Sequence, residues 1–556
     1  MKLRFNFHCH RPVPYYAQQC NQLLSHPHVF ATGIDGNNYY FEAEGNLAEL
    51  SQLAEQVGQQ WSLSCWLKQS NMVQIDDFSG DTLALSHSPC QSPYCFHCQE
   101  HLDDCRYCGS EALSAEPIEQ AVEQFMQTGV CQLNIGGTVR RFHKLTELNL
   151  STHKQLLFCR IDALNEALHI SNEGIRLLSS LEKPMLQLLA KDSFIERHQL
   201  APVLHRVHLA DDRLTLALSQ ALAAKGIDAV VVEDNQPKLL LSIFDQQPLA
   251  LSHRQQPKAP SIAKPLWDGA VIGGYSASID NDQLQVKPAP ELDATIADKW
   301  AAACALHTAQ LTAPQNSVTA VLFLSRQRQS GLLYQDKQGE YQWLVKLPDA
   351  LPGAGKVLET IAANPDTGAR LVERFKQAQP ERAKALEEQC NSDMAGGLSS
   401  LYALVAWLIQ VASPEDDARL AAEKFTALAL GFDGKFSPRI DFKLKREQEV
   451  LTLQVAKALQ ACLSYSLADE QSAQGVCYGV VDSLADFIAN WVEQLDDDIG
   501  IDQLALAGDE FHSPILLDRI HRRLGNNFTL LLPQETDFEG NNLAMGGLFL
   551  QQRRRA

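Results

Sequence analysis

Val29-Phe-Ala-Thr-Gly-Ile34, the turn Asp35-Gly-Asn-Asn38 and Tyr39-Tyr-Phe-Glu-Ala43 read as two strands joined by a tight hairpin. The fold of the N-terminal region is decided by what flanks this pair. Before it, Lys2–Cys9 is strand-like and Tyr15–Leu24 suits a helix. After it, Leu47, Leu50, Leu53, Ala54 and Val57 recur at helical spacing, and Ser62–Leu67 returns to a strand pattern. The order strand, helix, strand, strand, helix, strand is the split-βαβ, ferredoxin-like arrangement.

Further along, Glu116–Thr128 is helical and Cys131–Ile135 is a strand ending in Gly136-Gly137. Short apolar strands at Leu156–Ile161, Pro184–Leu189, Ala229–Val232 and Leu239–Phe244 then alternate with helical stretches, an α/β pattern. His253–Pro265 carries three prolines and reads as a linker. Beyond it, helices are expected at Trp300–Leu311, Leu398–Val411, Leu420–Leu430, Glu447–Leu463 and Leu484–Leu495. Strands are expected at Ala320–Leu324, Val476–Val481 and Leu504–Ala507. No tandem repeat is present, so a solenoid is not expected.

The chain has 556 residues, which suggests three or four domains at about 150 residues each. Hydrophobic residues make up 45% and charged residues 21%, values of ordinary globular protein. No apolar run reaches the roughly 18 residues a membrane span needs. The N-terminus lacks the apolar stretch of a signal peptide, so a cytoplasmic location is expected, with no membrane partner. A net charge of −20, from 47 basic and 67 acidic residues, repels phosphate backbones and argues against nucleic acid. Arg553–Arg555 reads as a solvated end.

Of the 14 cysteines, five cluster at Cys90, Cys95, Cys98, Cys105 and Cys108. Cys95-Phe-His-Cys98 and Cys105-Arg-Tyr-Cys108 form two CxxC knuckles. Four thiolates so disposed suit a closed, tetrahedral, structural zinc site. Metal would order a segment too short and polar to bury a core of its own. Cys90 and His97 are spare donors nearby, and His101 could substitute in an opened knuckle.

The order of these parts resembles the NiFe-hydrogenase maturation carbamoyltransferase family, HypF. The resemblance rests on colinear segments: Tyr40-Phe-Glu-Ala-Glu-Gly45, Ile118–Gly129 with Cys131-Gln-Leu-Asn-Ile-Gly-Gly137, and Leu177-Leu-Ser-Ser-Leu-Glu-Lys-Pro184. It continues through Leu351-Pro-Gly-Ala-Gly355, Ala395-Gly-Gly-Leu-Ser-Ser-Leu-Tyr402, Leu504-Ala-Leu-Ala-Gly508 and Asn542-Leu-Ala-Met-Gly546. It implies a multidomain chain of α/β and α+β parts. These are an acylphosphatase-like ferredoxin-fold domain (1–78), a zinc-binding segment (79–112), a YrdC-like α/β domain (113–255) and a TsaD-like domain of actin/Hsp70 type (266–556).

The resemblance also implies where the family's chemistry falls on this chain, and there the reactive groups differ. The phosphate cradle corresponds to His8-Cys-His-Arg-Pro-Val-Pro14, which keeps Arg11-Pro12 but has bulky residues in place of glycine. The water-orienting asparagine falls near Ile34, so acylphosphatase activity is not expected. In the YrdC-like part, Gly136, Gly137 and Lys154 stand at cofactor-binding positions. The Ser-x-Asn region there reads Leu241-Ser-Ile-Phe-Asp245 with Phe244 at the asparagine, which weighs against ATP binding and adenylate formation. The two metal-binding histidines of the TsaD-like part correspond to Ala305 and Ala309, with His307 between them as a packed core residue. An aspartate-glycine turn corresponds to Ser325-Arg326, and the last aspartate to Gly540-Asn541. Gly508-Asp509-Glu510 adds two negative charges where a nucleotide would bring its own.

Two functions follow as expectations. One is a divergent HypF-like protein of hydrogenase maturation that has lost its catalytic groups and acts by binding a protein partner, either a maturation protein or a hydrogenase subunit. The other is an active carbamoyltransferase that makes carbamoyladenylate from carbamoyl phosphate and ATP and passes it to a partner thiol. Outside the resemblance, His8, His10, His26 and His28 read as surface histidines. Glu415–Asp417 reads as a helix N-terminus and Asp496–Asp498 as a solvated loop.

Overall fold

The computed structural model describes residues 1–87, 102–104, 111–145, 154–233, 239–244, 247–252, 264–280, 283–313, 317–365, 367–447, 450–468, 472–533 and 536–551. The knuckle cysteines Cys90, Cys95, Cys98, Cys105 and Cys108, together with His97 and His101, lie outside the described residues, as does most of the expected linker. The chain divides into two compact units, Met1–Leu200 with His205–Leu239, and Ala201–Leu204 with Leu240–Ala556.

In the first unit, strands Lys2–Cys9, Val29–Asp35, Asn38–Glu44 and Leu67–Ile75 form one antiparallel sheet. The order is Val29–Asp35, Asn38–Glu44, Lys2–Cys9, Leu67–Ile75. Helices Pro14–Leu23 and Leu47–Gln60 complete the six elements. The second helix buries Leu50, Leu53 and Val57, one stripe at helical spacing, and is closed by an Asn46–Glu49 capping box. Phe5 and Phe41 stack in this core with ring centroids 4.5 Å apart.

The fourth strand begins at Leu67, where the sequence reading had it end. Ser62–Trp66 gives its amides to side chains instead of a neighbouring strand. Ser64 N donates to Tyr16 Oη at 3.0 Å, and Cys65 N donates to Glu182 Oε2 at 2.8 Å. Ser64 Oγ donates to the other Glu182 oxygen, and Leu181 N to Leu63 O.

The same unit carries helix Glu116–Thr128 and six strands in the order Met185–Leu189, Leu204–His208, Lys154–Phe158, Ala229–Glu233, Thr138–His143, Val130–Ile135. Leu204–His208 and Thr138–His143 were not anticipated from sequence. Phe125, Phe142, Leu157, Leu218 and Val230 are buried in one cluster.

The second unit is built on a seven-stranded mixed sheet. Its order is Lys443–Glu447, Val450–Gln454, Tyr341–Lys346, Gly331–Gln335, Thr319–Phe323, Gln503–Ala507, Thr529–Leu531. Thr319–Phe323, Gln503–Ala507 and Thr529–Leu531 run parallel, and the first two are fully buried. Helices Ala301–Thr312 and Gly540–Gly547 share a core with these strands, including Leu306, Val321, Phe323 and Leu543.

Three expectations fail here. Val476–Val481 is part of helix Ala473–Ile499, because Val476, Cys477, Val480, Val481, Leu484 and Ala485 are buried at steps of one, three and four. A short β-branched cluster resembles a strand until the longer period is followed. Glu447–Leu463 is not one helix. Lys443–Glu447 pairs with Val450–Gln454 as a hairpin, and the helix is Ala456–Ala468. Asp496–Asp498 likewise belongs to the last turn of helix Ala473–Ile499, where Asp496 Oδ1 accepts from Ile501 N at 2.8 Å. Asp417 caps helix Ala418–Leu430 by accepting from Leu420 N. Among the described residues, no helix is long and apolar enough to cross a membrane.

Candidate functional site

In open α/β sheets, ligands bind beyond the carboxyl ends of the parallel strands. In the second unit that place lies past Phe323 and Ala507. Gly508 follows with φ +100, and an added Cβ there would lie 2.1 Å from Leu324 O, so only glycine fits. Gly508 N donates to Phe538 O, while Leu324 N donates to Ala507 O and Glu510 N to Leu324 O. These bonds draw together three loops, at Ser325–Arg328, Gly508–Glu510 and Asp537–Asn542.

Glu510 is 2% exposed, and its carboxylate meets the first turn of helix Leu398–Leu408. Oε1 accepts from Ser399 N at 2.7 Å and Oε2 from Ser399 Oγ at 2.7 Å. A helix N-terminus is the usual seat of a phosphate, since its amides are unpaired and its dipole favours negative charge. Here a side chain of the protein supplies the anion. Burial pushes the Glu510 pKa up, while Arg326, with Nε 4.0 Å away, and the Ser399 bonds oppose that rise. The fully buried Tyr402, one turn along, has its pKa raised by burial first and by Glu510 second.

A second carboxylate, Glu539, is similarly engaged. Oε1 accepts from Arg328 Nη1 and from Ser325 Oγ, and Oε2 accepts from Asp509 N at 2.9 Å. Arg328 also bonds Asp298, through Nε at 3.0 Å. Arg326 N donates to Asp509 Oδ1 at 2.9 Å. Asp537 is 7% exposed, and burial pushes its pKa up to about 7, opposed by bonds to the Asn541 and Asn542 backbone. The loops at these strand ends are thus bonded to carboxylates of the chain.

Ala305 is 1% exposed within the core of helix Ala301–Thr312, and Ala309 packs against the same core. His307 is 7% exposed, with Nε2 2.6 Å from Tyr341 Oη and its pKa pushed down to about 4 by burial. It is a neutral, packed imidazole. Among the described residues no cluster of His, Cys, Asp and Glu could hold a metal ion.

In the first unit, three amides of His8–Pro14, where a phosphate cradle was expected, are already engaged. Cys9 N donates to Asn37 O, His10 N to Trp66 O and Val13 N to Tyr39 Oη. The Arg11 guanidinium lies 3.6 Å over the Trp66 ring. Gly136 and Gly137, at φ +58 and +84, form the two-residue turn between Val130–Ile135 and Thr138–His143. Lys154 opens a strand separated from theirs by Ala229–Glu233. Phe244 ends strand Leu240–Phe244 in the second unit, and Asp245 lies outside the described residues.

The sequence reading noticed Asp509 and Glu510 as added charge but not as groups that fill an anion position. It did not anticipate Arg328, Asp537 or Glu539. The available signal was Ser399 beside Gly396-Gly397 at a helix start, which needs an acceptor.

Residues 354–547 match the family model described as "Carbamoyltransferase, Kae1-like Domain, second subdomain". Protein HydE of Wolinella succinogenes is 22% identical over 453 residues, covering 77% of this chain and 73% of that protein. Among solved structures, T. kodakarensis HypF aligns with a TM-score of 0.66 at 11% identity, covering 100% of both chains. Full-length HypF in its phosphate- and nucleotide-bound form aligns with a TM-score of 0.60 at 11% identity, covering 98% of this chain and 97% of that one. The chain therefore has the multidomain α/β fold of HypF along its length, and its residues 354–547 are similar in sequence to the Kae1-like domain of carbamoyltransferases.

Proposed function

We propose that this protein serves NiFe hydrogenase maturation by binding a protein partner, and that its carbamoyltransferase-like cleft no longer transfers a carbamoyl group. The observation that carries this reading is the Glu510 carboxylate, held by Ser399 N and Oγ at the N-terminus of helix Leu398–Leu408. A phosphate entering that position would have to displace a buried anion already bonded there. Repulsion between two such charges in a partly buried site amounts to about 4 kcal/mol at 4 Å. The alanines at 305 and 309 add to the argument, because neither side chain can ligate a metal.

The remaining parts keep an architectural role in this reading. The N-terminal domain is acylphosphatase-like in descent, without its phosphate chemistry. The YrdC-like domain, with Gly136, Gly137 and Lys154, binds nucleotide weakly or not at all. Cys95, Cys98, Cys105 and Cys108 hold one structural zinc, a proposal supported by their spacing.

The test is turnover. The purified, zinc-loaded protein is incubated with ATP and carbamoyl phosphate and AMP formation is followed. No AMP above the protein-free control is expected. AMP formed in proportion to the protein, and only with carbamoyl phosphate present, would establish the active carbamoyltransferase instead.

A further inference from the structure

The N-terminal sheet of the first unit ends on strand Leu67–Ile75, which pairs with Lys2–Cys9 along one side. Its nine residues span about 30 Å. Met72 is 57% and Val73 48% exposed. In an antiparallel pair, alternate residues turn N–H and C=O away from the neighbour. Among the described residues, nothing meets those groups between Lys68 and Gln74. Open edges of this kind invite a further strand unless they are short, charged or covered. At other edges the fold carries such protection. Beside Val29–Asp35, Thr32 and Asp81 exchange two backbone bonds at 2.8 Å. Lys443–Glu447 bears Lys443, Lys445, Arg446 and Glu447, and Thr529–Leu531 has three residues. Leu67–Ile75 is long and uncovered, and Lys68 is its single charge.

A row of asparagines runs across the same sheet. Asn38 Nδ2 donates to Asn6 Oδ1 at 3.1 Å, and Asn6 Nδ2 donates to Asn71 Oδ1 at 3.0 Å. The row stops at the edge, where Asn71 Nδ2 has no acceptor among the described residues. A second copy of the strand, laid antiparallel with Asn71 on the two-fold axis, continues it. Leu67 then faces Ile75 of the second copy, Gln69 faces Val73 and Ser70 faces Met72. Lys68 faces Gln74, and Asp76 follows two positions on, at the diagonal distance that long side chains reach. Neither Lys68 nor Asp76 has an ion pair among the described residues, since Lys2 takes Asp77. Each contact occurs twice, as two-fold symmetry requires. No like charges face each other, which matters on a chain whose net charge is −20.

We infer that strand Leu67–Ile75 is a homodimerisation edge, at which a second copy of this chain adds antiparallel about Asn71 and joins two four-stranded sheets into one. The strand complements itself in apolar contact, amide bonding and charge, which favours a second copy over an unrelated extended peptide. A single edge is a small interface, so a dissociation constant on the order of 10 µM is expected. The dimer does not depend on the strand-end loops or on carbamoyl transfer.

Sedimentation velocity of the full chain from about 1 to 200 µM tests this, and a monomer–dimer equilibrium is expected. Asn71→Asp keeps an acceptor for Asn6 but sets two carboxylates on the axis, so it should weaken the dimer at least about tenfold. Lys68→Asp and Asp76→Lys should each weaken it about threefold or more, and the two substitutions together should restore it. Lys68 and Asp76 are exposed, so this exchange spares the fold even if Asn71→Asp does not. A chain that stays monomeric at about 200 µM, a dimer that Asn71→Asp leaves as strong, or single losses that the double exchange fails to restore would each overturn the inference. A peptide that occupies this edge on an otherwise monomeric chain would do the same. AMP formation in the turnover assay bears on the proposed function alone.

Discussion

The second unit holds two places that attract negative charge, and they are settled in opposite ways. At the strand ends, Glu510 and Glu539 occupy the donors that an anion would use. At the cavity bordered by helices Gly368–Ala378 and Ala456–Ala468, Arg370 and Arg374 meet no carboxylate among the described residues. The difference teaches that positive potential is not by itself a vacancy. What matters is whether the donors are already spent, and at the strand ends the described donors are.

The sharpest test replaces one arginine from each place. Arg328→Met should cost about 1–3 kcal/mol in urea unfolding, because the nearly buried Glu539 carboxylate would lose its arginine and keep only Ser325 Oγ and Asp509 N as donors. Arg370→Met should change stability by no more than about 0.5 kcal/mol. Equal costs would erase the distinction between the two places.

A pH series sharpens it further. Asp537 has a folded pKa of about 7, above the ordinary carboxylate value, so folding favours its protonated form. Its contribution to stability is full below about pH 4 and is lost as pH rises through about 7, a change on the order of 1–4 kcal/mol. Asp537→Asn should flatten stability against pH across that window, measured by denaturation at successive pH values. An unchanged slope would mean that the strand-end carboxylates are not desolvated as described. The smallest effect belongs to the open cavity. Arg374→Gln removes a like-charge neighbour of Arg370 and should stabilise the fold by about 0.2–0.5 kcal/mol at low salt, less at high salt.

Local patterns carried much of this architecture. The stripe Leu50, Leu53 and Val57 is a helix in the sequence and in the fold, and the Asp35–Asn38 turn lies where its residues place it. Errors arose where local and long-range demands differ. Val476–Val481 has strand composition, yet the buried face of a 27-residue helix claims it. Ser62–Leu67 looked like a strand because nothing nearby reveals that Tyr16 and Glu182 take its amides, the latter from 117 residues away in sequence. At the candidate site, the apolar helix that carries Ala305, His307 and Ala309 was legible. The partners of Glu510 and Glu539 were not, since Ser399 and Arg328 lie 111 and 211 residues from them in sequence.

The Glu182 carboxylate that grips Ser64 and Cys65 has a practical consequence for anyone shortening this protein. Cutting away the first eighty residues would strip that anion of its donors and leave Leu181 N without its acceptor on Leu63. The N-terminal portion is therefore a clamp on the chain that follows, and its retention requires no chemistry of its own.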